Sequence, residues 1–227
     1  MLSVLIPAYN EQNILEESIK KIIVGLNGFQ NKFEIIVVNN NSDDTTEQVC
    51  KKLVKKYDQF NYINQPKQGK GNAIKAGFEN ISFKNIIILD ADLSVSIDQF
   101  NFNWINNNNI CIHGSRYSGE VIGTPLKRNF TGKIFSFLVG YLFNLPVDDT
   151  QCGFKFINYT EPKKIGELIT VGNFAYDIDL LLALKELNVD IEQTPVTYIH
   201  NDDTSVKILK DSIKMLSSLA KMKLKYR

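Results

Sequence analysis

The nine residues from Asn85 to Leu93, N-I-I-I-L-D-A-D-L, constrain the fold of this chain more than any other stretch. Three isoleucines and a leucine make a short continuous apolar segment, the pattern of a parallel strand buried on both faces. The segment ends abruptly in Asp90-Ala91-Asp92. In an extended backbone residues two apart point the same way. Asp90 and Asp92 are therefore expected to project together from the carboxyl end of a buried strand, the edge where open α/β sheets bind ligands. Two carboxylates held that close repel unless a cation sits between them. Oxygen-only ligands suit Mg²⁺ or Mn²⁺, which keep several waters and bind substrate phosphates. A D-x-D string is short, and a solvated acidic turn is the plain alternative.

The flanking sequence decides what surrounds this strand. Leu2 to Ile6 is a short apolar strand expected to stop at Pro7, which cannot extend a ladder through its nitrogen. Apolar residues from Ile14 to Leu26 recur at helical spacing. Phe33 to Val38 is a second strand, ending in the polar loop Asn39-Asn40-Asn41-Ser42-Asp43-Asp44-Thr45. A helix over about 46–57 and a short strand over 61–64 follow. Lys67-Gln68-Gly69-Lys70-Gly71-Asn72 is a basic, glycine-containing turn leading into a helix through Phe78, a place for a diphosphate or simply a solvated turn. This alternation predicts a mostly parallel, doubly wound α/β sheet. No G-x-G-x-x-G follows the first strand, which argues against a dinucleotide oxidoreductase.

Beyond Asp92 the pattern loosens. Ile97 to Ile105 reads as helical and Ile110 to His113 as a strand, with His113 a core or edge residue rather than a ligand. Thr131 to Leu145 is apolar and aromatic with no charge after Lys133, so it is either a core helix or one lying in a membrane interface. Phe156-Ile157 is a strand, Phe174 to Leu187 a helix carrying Asp177 and Asp179, and Ile191 to Ile199 an extended segment. Thr204 to Arg227 reads as one basic amphipathic helix.

A net charge of +1 supplies no field for nucleic acid. Three cysteines without metal-type spacing (Cys50, Cys111, Cys152) fit a reducing compartment. No signal peptide is expected before the first strand, and no run reaches the roughly 18–20 apolar residues of a membrane span.

Six strings then occur in one order: V-L-I-P-A-Y-N-E (4–11), E-I-I-V-V-N-N-N-S-D-D-T (34–45), G-K-G-N-A (69–73), L-D-A-D-L (89–93), G-S-R-Y (114–117) and D-T-Q-C-G-F-K (149–155). In these the chain resembles family 2 glycosyltransferases of the GT-A fold, specifically the polyprenyl- and dolichyl-phosphate sugar transferases. The last string looks most like the dolichyl-phosphate glucosyltransferase branch.

The resemblance implies a GT-A domain over 1–203 and a basic amphipathic helix over 204–227, packed on the domain or a membrane surface. It implies an inverting, metal-dependent transfer of a hexose from a nucleotide sugar, UDP-glucose before GDP-mannose, to polyprenyl or dolichyl phosphate. Pro7, Tyr9, Glu11, Asn39 and Asn40 would hold the nucleotide, with Lys70 and Asp90 on the diphosphate side. Asp90 and Asp92 would hold Mg²⁺ or Mn²⁺. The acceptor is already ionised and needs no general base; Arg116 and Arg128 would hold it through bidentate phosphate contacts, with Lys207 as a further candidate. Asp149 and Gln151 are carried as a possible base or sugar contact. The protein is expected in the cytoplasm, peripheral on the cytosolic face of a membrane, touching it through 134–147 and the basic tail.

The sequence departs from the family where D-D-G-S usually follows the second strand, since Asn39-Asn40-Asn41-Ser42 stands there. An Asn carbonyl can still accept the N3–H of uracil, whereas a guanine edge would miss the carboxylate more. Ser94 replaces a glutamine that often binds metal in mannosyl-transferring relatives. A family 2 enzyme acting on a saccharide hydroxyl is the main alternative, although the Q-x-x-R-W string of processive members is missing; a non-catalytic nucleotide-sugar-binding module is the other.

Overall fold

The computed structural model of the chain describes residues 1–200 and 208–226. Among these residues seven strands form one sheet: β1 (Leu2–Ala8), β2 (Phe33–Asn39), β3 (Phe60–Asn64), β4 (Asn85–Ile88), β5 (Ile110–Ile122), β6 (Lys155–Asn158) and β7 (Asp190–Ile199). Their order across the sheet is β3-β2-β1-β4-β6-β5-β7. Only β6 runs against its neighbours, so the sheet is mostly parallel, as expected. Among the described residues seven helices accompany it: α1 (Leu15–Gly25), α2 (Thr46–Lys56), α3 (Lys70–Asn80), α4 (Leu126–Phe143), α5 (Pro162–Leu168), α6 (Tyr176–Glu186) and α7 (Ile208–Lys225).

Strand periodicity sorts the core into two layers. Val4, Ile6, Ile35 and Val37 pack on the face that receives Leu15, Ile19 and Ile22 of α1 and Leu53 of α2. The alternating Leu5, Ile36, Ile86 and Ile88 pack on the other face against Ala73, Ile74 and Phe78 of α3 and Tyr176 and Leu180 of α6. Central strands buried on both faces are why these runs are continuously apolar. A third cluster joins Val139 and Phe143 of α4 to Ile178 and Leu181 of α6 and Leu219 and Met222 of α7.

Four local expectations are corrected. β1 continues through Pro7, paired with Val38. The Leu5 carbonyl accepts from Leu89 and the Ala8 carbonyl from Asn40, so odd residues of β1 face β4 and even ones face β2. The proline's missing N–H therefore falls on the β4 side, beyond the last paired residue there. Residues 97–105 are not a helix but two 3₁₀ turns, Ile97–Gln99 and Phe102–Asn106, whose first N–H groups are capped by Ser96 and Asn101. β5 runs on past His113 to Ile122, because β7 pairs with it along most of its length, with an irregularity between Ser115 and Glu120. Finally, β4 ends at Ile88, and the aspartates are presented by a turn: Leu93 N–H donates to the Asp90 carbonyl at 3.0 Å. Leu93 has φ +49°, a left-handed conformation that few leucines adopt and that packing must hold.

Candidate active site

The carboxyl ends of β1, β2 and β4 form one rim. The loops after β1 and β2 are fastened together there: Asn10 Nδ2 donates to Asp43 Oδ1 at 2.6 Å, Asp43 N–H returns a bond to Asn10 Oδ1 at 3.0 Å, and Glu11 N–H donates to Thr46 Oγ1 at 2.8 Å. Asn10 and Asn41 take positive φ, which asparagine tolerates better than most residues. Tyr9 is partly buried and Pro7 buried in β1.

Asn40 uses both ends of its amide. Its Oδ1 accepts from Gly69 N–H at 2.6 Å and its Nδ2 donates to the Lys67 carbonyl at 3.0 Å, so it fixes the 67–70 turn. Asn39 Nδ2 donates to Asn64 Oδ1 at 2.8 Å, and its own Oδ1 is buried without a hydrogen-bond partner. The glycines of the turn answer a packing need. A Cβ on Gly69 would lie 2.2 Å from the Gly172 carbonyl oxygen and one on Gly71 1.9 Å from that of Val171. Gly69 also has φ +133°, and Gly71 N–H donates to the Gly172 carbonyl at 3.0 Å.

This close docking puts Lys70, the first residue of α3, over the aspartates. Its Nζ lies 2.6 Å from Asp90 Oδ1 and 5.5 Å from the centre of the Tyr176 ring. Burial alone would lower the ammonium's pKa, but Asp90 and Asp177 outweigh it and the net shift is upward. Burial would likewise raise the Asp90 carboxyl, yet the charge and hydrogen bond of Lys70 carry it below the usual range. On its other side Asp90 presses on Gly153, where a Cβ would stand 2.1 Å from Oδ2. Asp92 turns to Ser94, accepting from its N–H at 2.9 Å and its hydroxyl at 2.6 Å. Glu11 completes an acidic rim: burial, then Asp92, Asp90 and Asp44, push its carboxyl up to about 7.

Burial is the largest cause of that rise, the neighbouring carboxylates add to it, and the charge of Lys70 opposes it. Among the described residues no three metal-ligating side chains stand together as a ready-made centre. Asp90 and Asp92 nevertheless offer the hard carboxylate oxygens that Mg²⁺ or Mn²⁺ prefers, and such ions complete their shells with water and phosphate. The donor set fits the ion.

The next strands supply the cations. Arg116, in β5, forks onto Asp149, with Nε to Oδ2 at 2.6 Å and Nη2 to Oδ1 at 2.8 Å, and its backbone N–H adds a third bond at 3.1 Å. Burial would raise the Asp149 carboxyl, but Arg116 holds it down. His113 is fully buried, its Nε2 2.6 Å from the Asp149 carbonyl oxygen. Gln151 is partly buried, and its N–H donates to Asp149 Oδ1 at 3.2 Å. Arg128 lies in the first turn of α4, where only the backbone is described, and Lys207 lies outside the described residues.

One charged unit escaped the sequence reading as part of the site. Lys155, fully buried at the start of β6, pairs with Asp177 of α6 at 2.6 Å and also donates to the Cys152 carbonyl. Its ammonium lies 5.8 Å from the Tyr176 ring centre, the ring that Lys70 also approaches at 5.5 Å. The one available signal was its place as the last residue of D-T-Q-C-G-F-K.

The Glycosyl transferase family 2 profile matches residues 3–156, which contain this whole rim except Asp177 and its neighbours. The chain belongs to glycosyl transferase family 2. It is 30% identical over 241 residues to a dolichyl-phosphate beta-glucosyltransferase of Trichomonas vaginalis, covering 100% of this chain and 74% of that protein. It is 28% identical to the dolichyl-phosphate beta-glucosyltransferase of Dictyostelium discoideum, covering 99% and 74%. Among solved structures, glucosyl-3-phosphoglycerate synthase of Mycobacterium tuberculosis in complex with phosphoglyceric acid superposes with a TM-score of 0.71 at 16% identity, covering 97% of this chain and 79% of that one. The same synthase with Mn²⁺, UDP-glucose and phosphoglyceric acid gives 0.69 at 15%, covering 98% and 79%. These neighbours share the expected GT-A architecture, and this family 2 member is a glycosyltransferase.

Proposed function

We propose that the protein transfers glucose from UDP-glucose, with inversion, to a polyprenyl or dolichyl phosphate at the cytosolic face of a membrane. The observation that carries this reading is the Arg116–Asp149 fork. The carboxylate best placed beside the acceptor side is spent on an arginine and held ionised at low pKa, a poor general base. An acceptor phosphate needs no base. It needs a fixed cation, and a guanidinium pre-oriented by Asp149 is one. The relatives' glucosyl transfer to dolichyl phosphate agrees with this assignment.

In the proposed step a phosphate oxygen of the acceptor attacks the anomeric carbon as the bond from that carbon to the diphosphate oxygen breaks. The electron pair leaves on UDP, and no proton moves. Asp90 and Asp92 would hold a Mg²⁺ or Mn²⁺ ion, which would neutralise charge building on the leaving diphosphate. Lys70, close over Asp90, is positioned to meet that diphosphate, and Glu11 and Tyr9 line the nucleotide side. Arg116 orients the acceptor, with Arg128 and Lys207 proposed to join it. Asn40 contributes by fixing the Lys70 turn.

The alternative is transfer to a saccharide hydroxyl, for which a carboxylate would have to act as general base. Labelled UDP-glucose offered a short-chain polyprenyl phosphate and, separately, saccharide acceptors separates the two. Label in the lipid phosphate supports the first; label only in saccharide supports the second.

A further inference from the structure

The first turn of α6 carries two buried acids, Asp177 and Asp179. Residues two apart on a helix point different ways. Asp177 turns to Lys155, and Asp179 turns to a separate set of donors. Its Oδ2 accepts from Thr170 N–H at 2.6 Å, Val171 N–H at 2.8 Å and the Thr170 hydroxyl at 3.1 Å. Its Oδ1 accepts from the Tyr226 hydroxyl at 2.9 Å, and the Lys225 ammonium lies 3.4 Å away. A carboxylate is costly to bury unless it is paired and hydrogen-bonded. All five donors here come from two places: the segment between α5 and α6, and the end of α7.

That segment has a second side. Its N–H groups at 170 and 171 are spent on Asp179, while its carbonyls face the turn that carries Lys70. Gly71 N–H donates to the Gly172 carbonyl at 3.0 Å. The Val171 and Gly172 carbonyl oxygens are the atoms that a Cβ on Gly71 or Gly69 would strike. The fit is mutual, because a Cβ on Gly172 would stand 2.7 Å from Asn72 Nδ2 and 2.8 Å from its Oδ1. With no side chain on either surface, a shift of the segment is passed directly to residues 69–72.

Helix α7 grips the same segment along its length. Lys225 donates to the Leu168 carbonyl as well as facing Asp179. Val171 packs with Leu219 and Met222. Asn173 Nδ2 donates to Ser218 Oγ at 2.9 Å, while its Oδ1 accepts from Ala175 N–H at 2.8 Å. A continuous series of short contacts therefore runs from the end of α7 through Asp179 and the 170–172 backbone to Lys70 and Asp90.

We propose that Asp179, with Lys225 and Tyr226, forms a positioning unit for Lys70, so that α7 is part of the scaffold of the donor site. A lysine has a long flexible stem, and where its ammonium falls depends on where its turn is held. Small displacements of a binding group far from the chemistry are costly to the reaction. The inference rests on the reading of Lys70 as a contact of the donor diphosphate.

The test is calorimetry of UDP binding, with Mn²⁺ present, to the wild-type protein and to Lys225→Met/Tyr226→Phe, each also in a Lys70→Met background. The double variant should bind UDP about tenfold more weakly, the effect of losing donors to a buried charge. Its KM for the acceptor should not change. In the Lys70→Met background the same two substitutions should alter UDP affinity by less than about twofold, because no lysine remains to be positioned. A purely structural role would give the same loss in both backgrounds. Tyr226→Phe alone, which removes one hydroxyl from a half-buried ring, should show the same dependence on Lys70 at about threefold. That single variant serves where the double variant does not fold. Gly172→Ala, which presses on Asn72 from the other side with Asp179 intact, should also weaken UDP binding only when Lys70 is present.

Equal UDP affinity of the wild-type protein and the α7 variants overturns the proposal, as does an equal loss in the two backgrounds. If Lys70→Met itself binds UDP as the wild-type protein does, the donor reading of Lys70 fails and this inference fails with it. The expected pattern of UDP binding without transfer to any lipid phosphate supports the positioning unit and counts against the acceptor reading alone.

Discussion

Lys70 Nζ sits 2.6 Å from Asp90 Oδ1, so a protein cation occupies the aspartate that a divalent ion would use. The two side chains are about one-fifth and one-third exposed, which places the pair where water screens it only in part. Lys70→Met should therefore have two opposite effects. Transfer falls about a hundredfold, as expected for loss of a charge facing a developing anion, while Mn²⁺ binds the protein alone more tightly. Calorimetry with Mn²⁺ and a transfer assay read the two separately. Weaker Mn²⁺ binding would deny the competition.

Gly153 is the opposite wall of the same carboxylate. Its Cβ would fall 2.1 Å from Asp90 Oδ2, and its φ is not in the left-handed region, so alanine meets a side-chain clash rather than backbone strain. Gly153→Ala is expected to lower activity by an order of magnitude or more by turning Asp90, at a stability cost of about 1–3 kcal/mol. Activity and Tm measured together check it; full activity would mean that Asp90's orientation is unimportant.

Asp149 is fully buried and Arg116 about one-quarter exposed. Removing one partner of such a pair leaves the other uncompensated. Asp149→Asn should cost about 3 kcal/mol in denaturant unfolding and should weaken use of the acceptor more than binding of the donor. Arg116→Lys should resemble it in KM for the acceptor, because an ammonium cannot make the fork.

Much of this was legible in advance, for identifiable reasons. β1, β2 and β4 are buried on both faces, so each shows a continuous apolar run, and the polar loops ending them mark the rim. Asp90 and Asp92 stood out because they end such a run, whereas Arg116 was reached only through the family resemblance of G-S-R-Y. The pairings did not. Lys70 meets Asp90 across 20 residues, Lys155 meets Asp177 across 22 and Arg116 meets Asp149 across 33. A lone buried lysine such as Lys155 is hidden because lysine is ordinarily a surface residue. The full length of β5 was hidden because its outer half depends on pairing with β7, not on its own apolar content. The 3₁₀ turns at 97–106 mimic helical spacing over too few residues to tell apart.

His113 supplies a pH prediction. Burial, with help from Lys155, lowers its pKa to about 3, from 6.5 in the unfolded chain. A depressed folded pKa contributes stability that is complete above the unfolded value and lost as pH falls through the window toward 3. Between pH 6.5 and 5 this loss amounts to about 1.5 kcal/mol. His113→Gln should be less stable at pH 7 yet show a flatter decline across that interval in denaturant titrations. Parallel slopes for the two proteins would exclude His113 as the source.

The central claim is that the site joins glucose to a phosphate oxygen with inversion. Its most direct measurement is the NMR spectrum of the product formed from UDP-glucose labelled with ¹³C and a polyprenyl phosphate in the presence of Mn²⁺. The account predicts a β-configured anomeric carbon coupled to phosphorus, and no such product from Asp92→Ala. An α-linked phosphate, or glucose joined only to a hydroxyl oxygen, would contradict it.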